Sequence, residues 1–299
     1  MQHVFVIGGS TYDHIVHLQH LPQGVPQTIH QAPFHEACGS TGVGKALALT
    51  KLQVPNTLYT VFGNDYYGQQ IQAFIDSQQL HTITTIDPAG TERHINIMDA
   101  AGNRISMFIT QSSETLAHPY NAIQAQLLTT DVVVLNIIAY CKQIIPLVKA
   151  SKKPVWTDLH DYDGSNTYHQ PFIEAAQYIH MSSDNCLHYR SVMEQLIAQG
   201  KKLVICTHGK AGATLLTPYG KWIEQPAISN TPIVDSNGAG DSFFAGFLYG
   251  WLQQLPLETC MQMGAICGAW AVTDLSLCYQ QLSPSFLQQQ LERLCNNEN

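Results

Sequence analysis

The sequence predicts an α/β protein with a mostly parallel central sheet and a small β-sheet lid, all in one body. Three observations carry this. Short apolar runs alternate with helix-length segments, the pattern of βα units in a parallel sheet. The strands of the second half end on polar residues, where a doubly covered sheet presents its ligand site. Two pairs of strands with period-two alternation interrupt the βα rhythm in the first half and so belong to a separate, half-exposed sheet.

In order, Val4-Phe5-Val6-Ile7 is a buried strand that runs into Gly8 and Gly9. Tyr12-Asp13-His14-Ile15-Val16-His17-Leu18 alternates polar and apolar, and Gln27-Thr28-Ile29-His30-Gln31-Ala32 does so again after a turn, giving the first lid pair. A helix over 42–52, a strand over 57–62 and a helix over 67–79 follow. Strands over 92–98 and 104–109, joined by Asp99-Ala100-Ala101-Gly102-Asn103, form the second lid pair, so the lid spans about 12–35 and 90–110. Buried strands then recur at 132–135, 155–158, 178–181 and 203–207, ending on Asn136, Asp158, Ser182-Ser183-Asp184 and Thr207-His208-Gly209. Packing helices are expected over 243–252, 260–272 and 284–294, with a strand at Pro232-Ile233-Val234. No repeat or long linker divides residues 1–299.

With 45% apolar residues, 299 positions bury a substantial core. Charged residues make up 12%, the net charge is −8, and no Lys/Arg run is present, which argues against nucleic acid as a partner. The N-terminus reads as a strand rather than a signal peptide, and apolar runs are too short to span a bilayer, so a cytoplasmic location is expected. Eight scattered cysteines without a CxxC pair read as reduced core thiols. None of the fourteen histidines falls in HExxH or CxxH spacing, so no structural zinc is expected; a metal site would have to be assembled from distant parts of the chain.

Asp235-Ser236-Asn237-Gly238-Ala239-Gly240-Asp241-Ser242 carries the chemistry. Small residues let the backbone approach an anion, and the free amides at the start of the following helix make Gly238, Ala239 and Gly240 an anion hole. Asp241, on the first helical turn, is the candidate general base. An anion cradle beside a base points to phosphoryl transfer.

The stretch stands as DSNGAGDSFFAG and resembles the C-terminal signature of the ribokinase/PfkB carbohydrate kinases, DTxGAGDxFxxG; a glycine motif near the first lid strands and a T-x-G segment occur in the family's order. The resemblance implies a ribokinase-like three-layer αβα sandwich with a β lid. It also implies a kinase that uses Mg-ATP, with a monovalent cation such as K+ as a further cofactor, to phosphorylate a hydroxyl of a sugar, nucleoside or related small molecule. Carried over, it makes Asp241 the base, places Asp235 near cations, and puts Thr207, Gly209, Gly212 and Ala265 at the nucleotide. Gly39, Ser40, Thr41 and Gly44 take the place of the GG-x-G-A-N segment, and Asp13 that of the aspartate binding substrate hydroxyls. Gly44 replaces the motif's asparagine, Ala265 stands where an asparagine is frequent, and 182–185 lacks the glutamate of N-x-x-E, leaving Asp184 in its place as a metal ligand.

Asn136 at its strand end is a further substrate contact, and Arg93 a two-pronged clamp for an anionic group or else a solvated edge charge. The Asp158–Asp163 run is expected to turn only Asp158 to the site. Lids of this kind bury a face against a second copy, so a homodimer through the lid is expected. Rival readings remain. Residues 39–46 satisfy GxxxxGK, the spacing of a P-loop NTPase, but Ala46 stands where Ser or Thr holds magnesium, and 35–38 is a poor buried strand. An NAD-binding protein is disfavoured by Gly8-Gly9 lacking the third glycine, and a non-catalytic ligand sensor on the same scaffold is the other alternative.

Overall fold

A computed structural model describes residues 2–100, 102–228 and 232–297, with side chains to residue 294; Ala101 of the predicted lid turn and the Cys295 thiol lie outside the described residues. The first half contains β1 (Val4–Ile7), β2 (Thr11–Leu18), β3 (Phe34–Gly39), α1 (Thr41–Lys51), β4 (Asn56–Gly63), α2 (Tyr66–Ser77), β5 (Thr82–Asp87), β6 (Arg93–Asp99) and β7 (Arg104–Thr110). It continues with α3 (Tyr120–Thr129), β8 (Val132–Asn136), α4 (Ile145–Ser151), β9 (Val155–Asp158), α5 (Gln170–Ala175), β10 (Tyr178–Ser182), α6 (Tyr189–Ala198) and β11 (Leu203–Thr207). It closes with β12 (Ala213–Leu216), β13 (Trp222–Gln225), α7 (Ala239–Leu252), α8 (Leu257–Ala271) and α9 (Pro284–Asn297).

The large sheet runs β13-β12-β11-β10-β9-β8-β1-β4-β5, parallel from β11 to β5, with the β11–β12 and β12–β13 pairs antiparallel. Alternate residues of each strand feed two separate cores. Val4, Val6, Val132 and Val134 pack beneath α1, α7 and α8, while Phe5, Ile7, Val133 and Leu135 face α3 to α6. The result is three layers, αβα, with helices on both faces of the sheet. The α7–α8 pair is closely apposed because a Cβ on Gly246 would lie 2.6 Å from the Met263 carbonyl oxygen. The seven described cysteines are buried and free, as core thiols.

The lid sheet, β3-β2-β6-β7, is mixed rather than antiparallel throughout, since β2 and β6 pair in parallel. Its roots are tied to the body. Asp65 caps α2 through the Gly68 amide at 2.8 Å and also accepts from the Thr91 amide at 2.8 Å and the Thr91 hydroxyl at 2.7 Å. Thr110 Oγ1 donates to the Thr91 carbonyl at 2.8 Å, closing the other root.

Several expectations need correction. Residues 27–32 form no strand; β3 begins at Phe34, after Pro33, and its register with β2 pairs Ile15 with His35. β2 already has β3 and β6 as neighbours, so the alternating 27–32 segment between Pro26 and Pro33 does not pair with it. Pro232-Ile233-Val234 is also not a strand: Ile233 and Val234 are about half exposed, and the chain is anchored instead by the Val234 amide on the Val272 carbonyl at 2.7 Å. β5, β12 and β13 were not anticipated. β5 and β13 are the edge strands of the large sheet, where one missing neighbour leaves a weak sequence signal, and β12 is a four-residue strand between β11 and β13.

Candidate active site

The C-terminal ends of β1 and β8, the start of α1 and the start of α7 converge. Gly42 makes this possible, since a Cβ there would lie 2.5 Å from backbone atoms of Gly8 and Gly9, and the Val43 amide donates to the Gly9 carbonyl at 3.1 Å. Ser40 precedes α1 at φ 78°, a left-handed conformation costing a non-glycine residue about 1 kcal/mol and characteristic of functional turns.

α1 reads Thr41-Gly-Val-Gly-Lys-Ala-Leu-Ala-Leu and is buried from residue 42 to 49, so Lys45 enters the interior. Its ammonium donates to Asp158 Oδ2 at 2.8 Å, from the end of β9, and to Asp241 Oδ1 at 2.5 Å, from the first turn of α7. The Phe244 ring lies 5.1 Å from the ammonium. Asp158 Oδ1 in turn accepts from the His160 amide at 3.0 Å. The P-loop reading does not fit this geometry: residues 41–45 are helical, and Lys45 is wholly buried against two carboxylates. The strand at 35–38, read as poor, exists, but as part of the lid strand β3 rather than in the parallel sheet.

The second oxygen of Asp241, Oδ2, faces the empty side of Gly44, where a Cβ would come within 2.6 Å of it. The asparagine that the family places there would occupy this space. Changing Gly44→Ala is expected to displace Oδ2 and cut kcat by about ten- to hundredfold, the scale of an ångström misplacement. The gain of about 1 kcal/mol in helix propensity offsets the strain, so the melting temperature stays near that of the parent. Steady-state kinetics beside a melting curve checks this, and unchanged kcat contradicts it.

In the signature loop around Asp241 the expected Gly238–Gly240 amide set is altered at Ala239. Gly238 sits at φ 74°, with Leu277 O 2.1 Å from where a Cβ would stand, so only glycine fits. The Ala239 amide turns back toward Ser236 O at 3.4 Å, while nothing stands beside Gly240 within 4 Å. The amides of Gly240 and Asp241, in the first turn of α7, have no intrahelical acceptor. Asp235 is 3% exposed; its Oδ1 accepts from the Asn237 amide at 2.8 Å, and its Oδ2 has no partner among the described residues.

From the lid, Asp13 is buried and accepts from Thr11 Oγ1 at 2.7 Å and Asn96 Nδ2 at 3.3 Å, with His94 Nδ1 3.7 Å away. Gly39 closes against it, a Cβ there meeting Oδ2 at 2.1 Å. Burial pushes the Asp13 carboxyl up, against the pull of His94 and the Thr11 hydroxyl. Asn136 donates to Thr41 Oγ1 at 2.6 Å and keeps a buried, unpartnered Oδ1 among the described residues. Asn96 and His94 were not anticipated; their register beside Ile15 and Asp13 in the parallel β2–β6 pair could not be read before that pairing was known.

Other candidates lie apart. Arg93 pairs with Tyr12 in register and stacks on Tyr67 at 4.4 Å; it precedes His94, the register partner of Asp13, and so lies on the alternate face of the lid. Thr207 ends β11, and Gly209 at φ 52° is open on its Cβ side. Gly212, at φ 98°, instead serves the β11–β12 turn, since a Cβ would meet Gln225 O at 2.1 Å. Ala265 is a core residue of α8, 8% exposed, so it offers little surface to a nucleotide. His208 is held between Ser183 Oγ and Thr214 Oγ1, each at 2.9 Å. Asp184 is exposed, with the Ser182 hydroxyl at 3.1 Å, while Asp161 and Asp163 face water.

The sequence profile of the pfkB family carbohydrate kinases matches residues 1–282. Acarbose 7(IV)-phosphotransferase from Actinoplanes sp. is 30% identical over 274 residues, covering 90% of this chain and 92% of that protein. Deoxyribokinase from Salmonella typhi is 23% identical over 287 residues, covering 90% and 92%. Among solved structures, a microbiome-derived acarbose kinase superposes with a TM-score of 0.85 at 27% identity, covering 98% of this chain and 99% of that one. Ribokinase from Giardia lamblia, at 15% identity and a TM-score of 0.82 over 97% and 100%, shares the fold.

Proposed function

This chain belongs to the pfkB family of carbohydrate kinases, and from that membership we propose that it transfers the γ-phosphoryl group of ATP to a hydroxyl of a sugar-like alcohol, with Asp241 as general base. The observation that carries this is the split use of the Asp241 carboxylate. Oδ1 is fixed by Lys45 while Oδ2 faces the space at Gly44, beside the open amides at the start of α7.

The residues divide the work as follows. Asp13, with Asn96 behind it, accepts hydroxyl protons of the sugar and orients it under the lid. Asp241 Oδ2 takes the proton of the attacking hydroxyl, and the open Gly240 and Asp241 amides at the start of α7 stabilise charge on the transferring group. Lys45 acts through Asp241 as a positioning residue. Thr207 and Gly209 lie on the loop assigned to the nucleotide.

Magnesium fits Asp184: its exposed carboxylate keeps lone pairs for an ion that takes most ligands from phosphates and water. When bound, the ion neutralises charge on the phosphates. A monovalent cation such as K+ is the further cofactor of this reading, near Asp235 at the head of the signature loop. A lid-mediated homodimer is supported by the exposed apolar side chains of β7, Ile105, Met107, Phe108 and Ile109.

Acarbose heads the substrate panel because two relatives that cover nearly all of the chain act on it by name; deoxyribose, ribose and inosine complete it. ADP release together with a phosphorylated product, identified by mass, is the expected result. Ligand binding without turnover on any acceptor would instead favour the sensor reading. A pH profile adds a sharper expectation. Because Asp13 takes up its proton at a higher pH than an ordinary carboxylate, kcat/KM falls on the acid side earlier than a pKa of about 3.9 would dictate. The same shift stabilises the native state as pH falls, since the folded form holds that proton more tightly than the unfolded one. Asp13→Asn removes the acid limb; its persistence there would assign it to another group.

A further inference from the structure

We propose that His17 and His35 of the lid and Asp235 of the signature loop form a binding site for a zinc-class divalent cation, one that clamps the lid onto the loop preceding α7. This goes beyond the kinase reading and does not depend on it. One ligand atom from each of the three residues lies within 4.8 Å of the others. Among the described residues this is the one group of three or more His, Cys, Asp or Glu side chains so arranged.

The two imidazoles come together through strand register. Ile15 pairs with His35, and the His17 amide donates to Pro33 O at 2.8 Å, so His17 and His35 sit diagonally on the face that also carries Asp13. Their rings stack with centroids 5.3 Å apart and an interplanar angle of 14°, and His17 Nε2 lies 3.3 Å from His35 Nδ1. Donors on a tetrahedral ion with bonds of about 2.0–2.1 Å stand about 3.3–3.4 Å apart, so this edge is already at its bound length.

A further observation points to a missing ligand. Asp235 is 3% exposed, and its Oδ2 has no hydrogen-bond partner among the described residues while Oδ1 is held by the Asn237 amide. A buried carboxylate oxygen without a donor costs about 1–3 kcal/mol or more, and a cation removes that cost. Two imidazole nitrogens with one carboxylate oxygen are the donors of a zinc, cobalt or nickel site with an open fourth position; potassium and magnesium take oxygen ligands. The site is separate from the substrate-binding carboxylate, since His17 follows Asp13 by four residues along β2, about 13 Å.

The site joins three segments that are remote in sequence, which is why spacing rules are blind to it. A cation bridging them couples the lid to the loop that begins the phosphate cradle. Metal-free, tag-free full-length protein titrated with CoCl2 is expected to bind one equivalent, to develop the visible d–d bands of a four-coordinate cobalt site, and to melt at higher temperature. ZnCl2 should bleach the bands by displacement, and KCl or MgCl2 in hundredfold excess should not. His17→Gln and His35→Gln, both at half-buried positions, should each abolish the bands while leaving the metal-free melting temperature near that of the parent. Absence of one-equivalent binding, or bands that survive in both variants, would overturn the proposal; so would displacement by KCl, which would mark an oxygen-ligated cation site.

Discussion

Replacing Lys45 with methionine is expected to lower the stability of the protein by about 3–5 kcal/mol, because the change leaves two buried carboxylates without their shared cation. The side chains of Lys45, Asp158 and Asp241 are 0%, 5% and 10% exposed, so water does little of the work. Burial pushes Asp158 up, yet Lys45, supported by His160 and His180, brings it well below the usual carboxylate value. Lys45 itself is held above the usual lysine value, against burial, by Asp158 and Asp241. The signs follow. Asp158 contributes stability above its unfolded pKa of about 3.9 and loses it as pH falls through the depressed folded value, whereas Lys45 contributes below about 10.4 and loses it as pH rises through the raised one. The parent is therefore insensitive to this cluster at neutral pH. In Lys45→Met burial of Asp158 is no longer opposed by Lys45 and favours its protonated form, so the stability gap should narrow between pH 7 and pH 4.5. Urea unfolding at the two pH values measures the gap; an equal loss at both would place the effect in packing rather than charge.

Much of this arrangement is legible in the sequence because its parts are local. The glycines and Asp241 lie on one turn and one helix start, and the βα alternation from 132 to 207 appears as strands β8 to β11 with matching ends. What the sequence hides is pairing. Lys45 sits in the small, apolar run of α1, a setting that demands a buried partner, but nothing local says that the partners are 113 and 196 residues away. The parallel β2–β6 pair, which brings Asn96 to Asp13, depends on a connection that runs through β3, α1, β4, α2 and β5. Residues 27–32 show the converse failure, a good alternating pattern with no neighbour to bond. Ala265 shows a limit of motif transfer, because a position assigned by resemblance is filled here by a core methyl group.

The second large effect belongs to Asp241. Asparagine keeps the volume of the side chain and can still accept from Lys45 at Oδ1, and Asp158 continues to balance the ammonium. What it removes is the proton acceptor at Oδ2, since an amide nitrogen in that position only donates. General-base catalysis accounts for about 10²–10⁴ in rate, and kcat should fall by that factor. Nucleotide affinity should hold, because the open amides of Gly240 and Asp241 belong to the backbone, which the substitution leaves in place. The decisive measurement is the rate of phosphosugar formation by Asp241→Asn at saturating ATP and acceptor, with the nucleotide Kd determined calorimetrically on the same preparation. A fall in kcat of about 10²-fold or more at unchanged Kd is the predicted result. Retention of more than about a tenth of kcat, or a Kd that weakens in step with the rate, would contradict the assignment of Asp241 as the base.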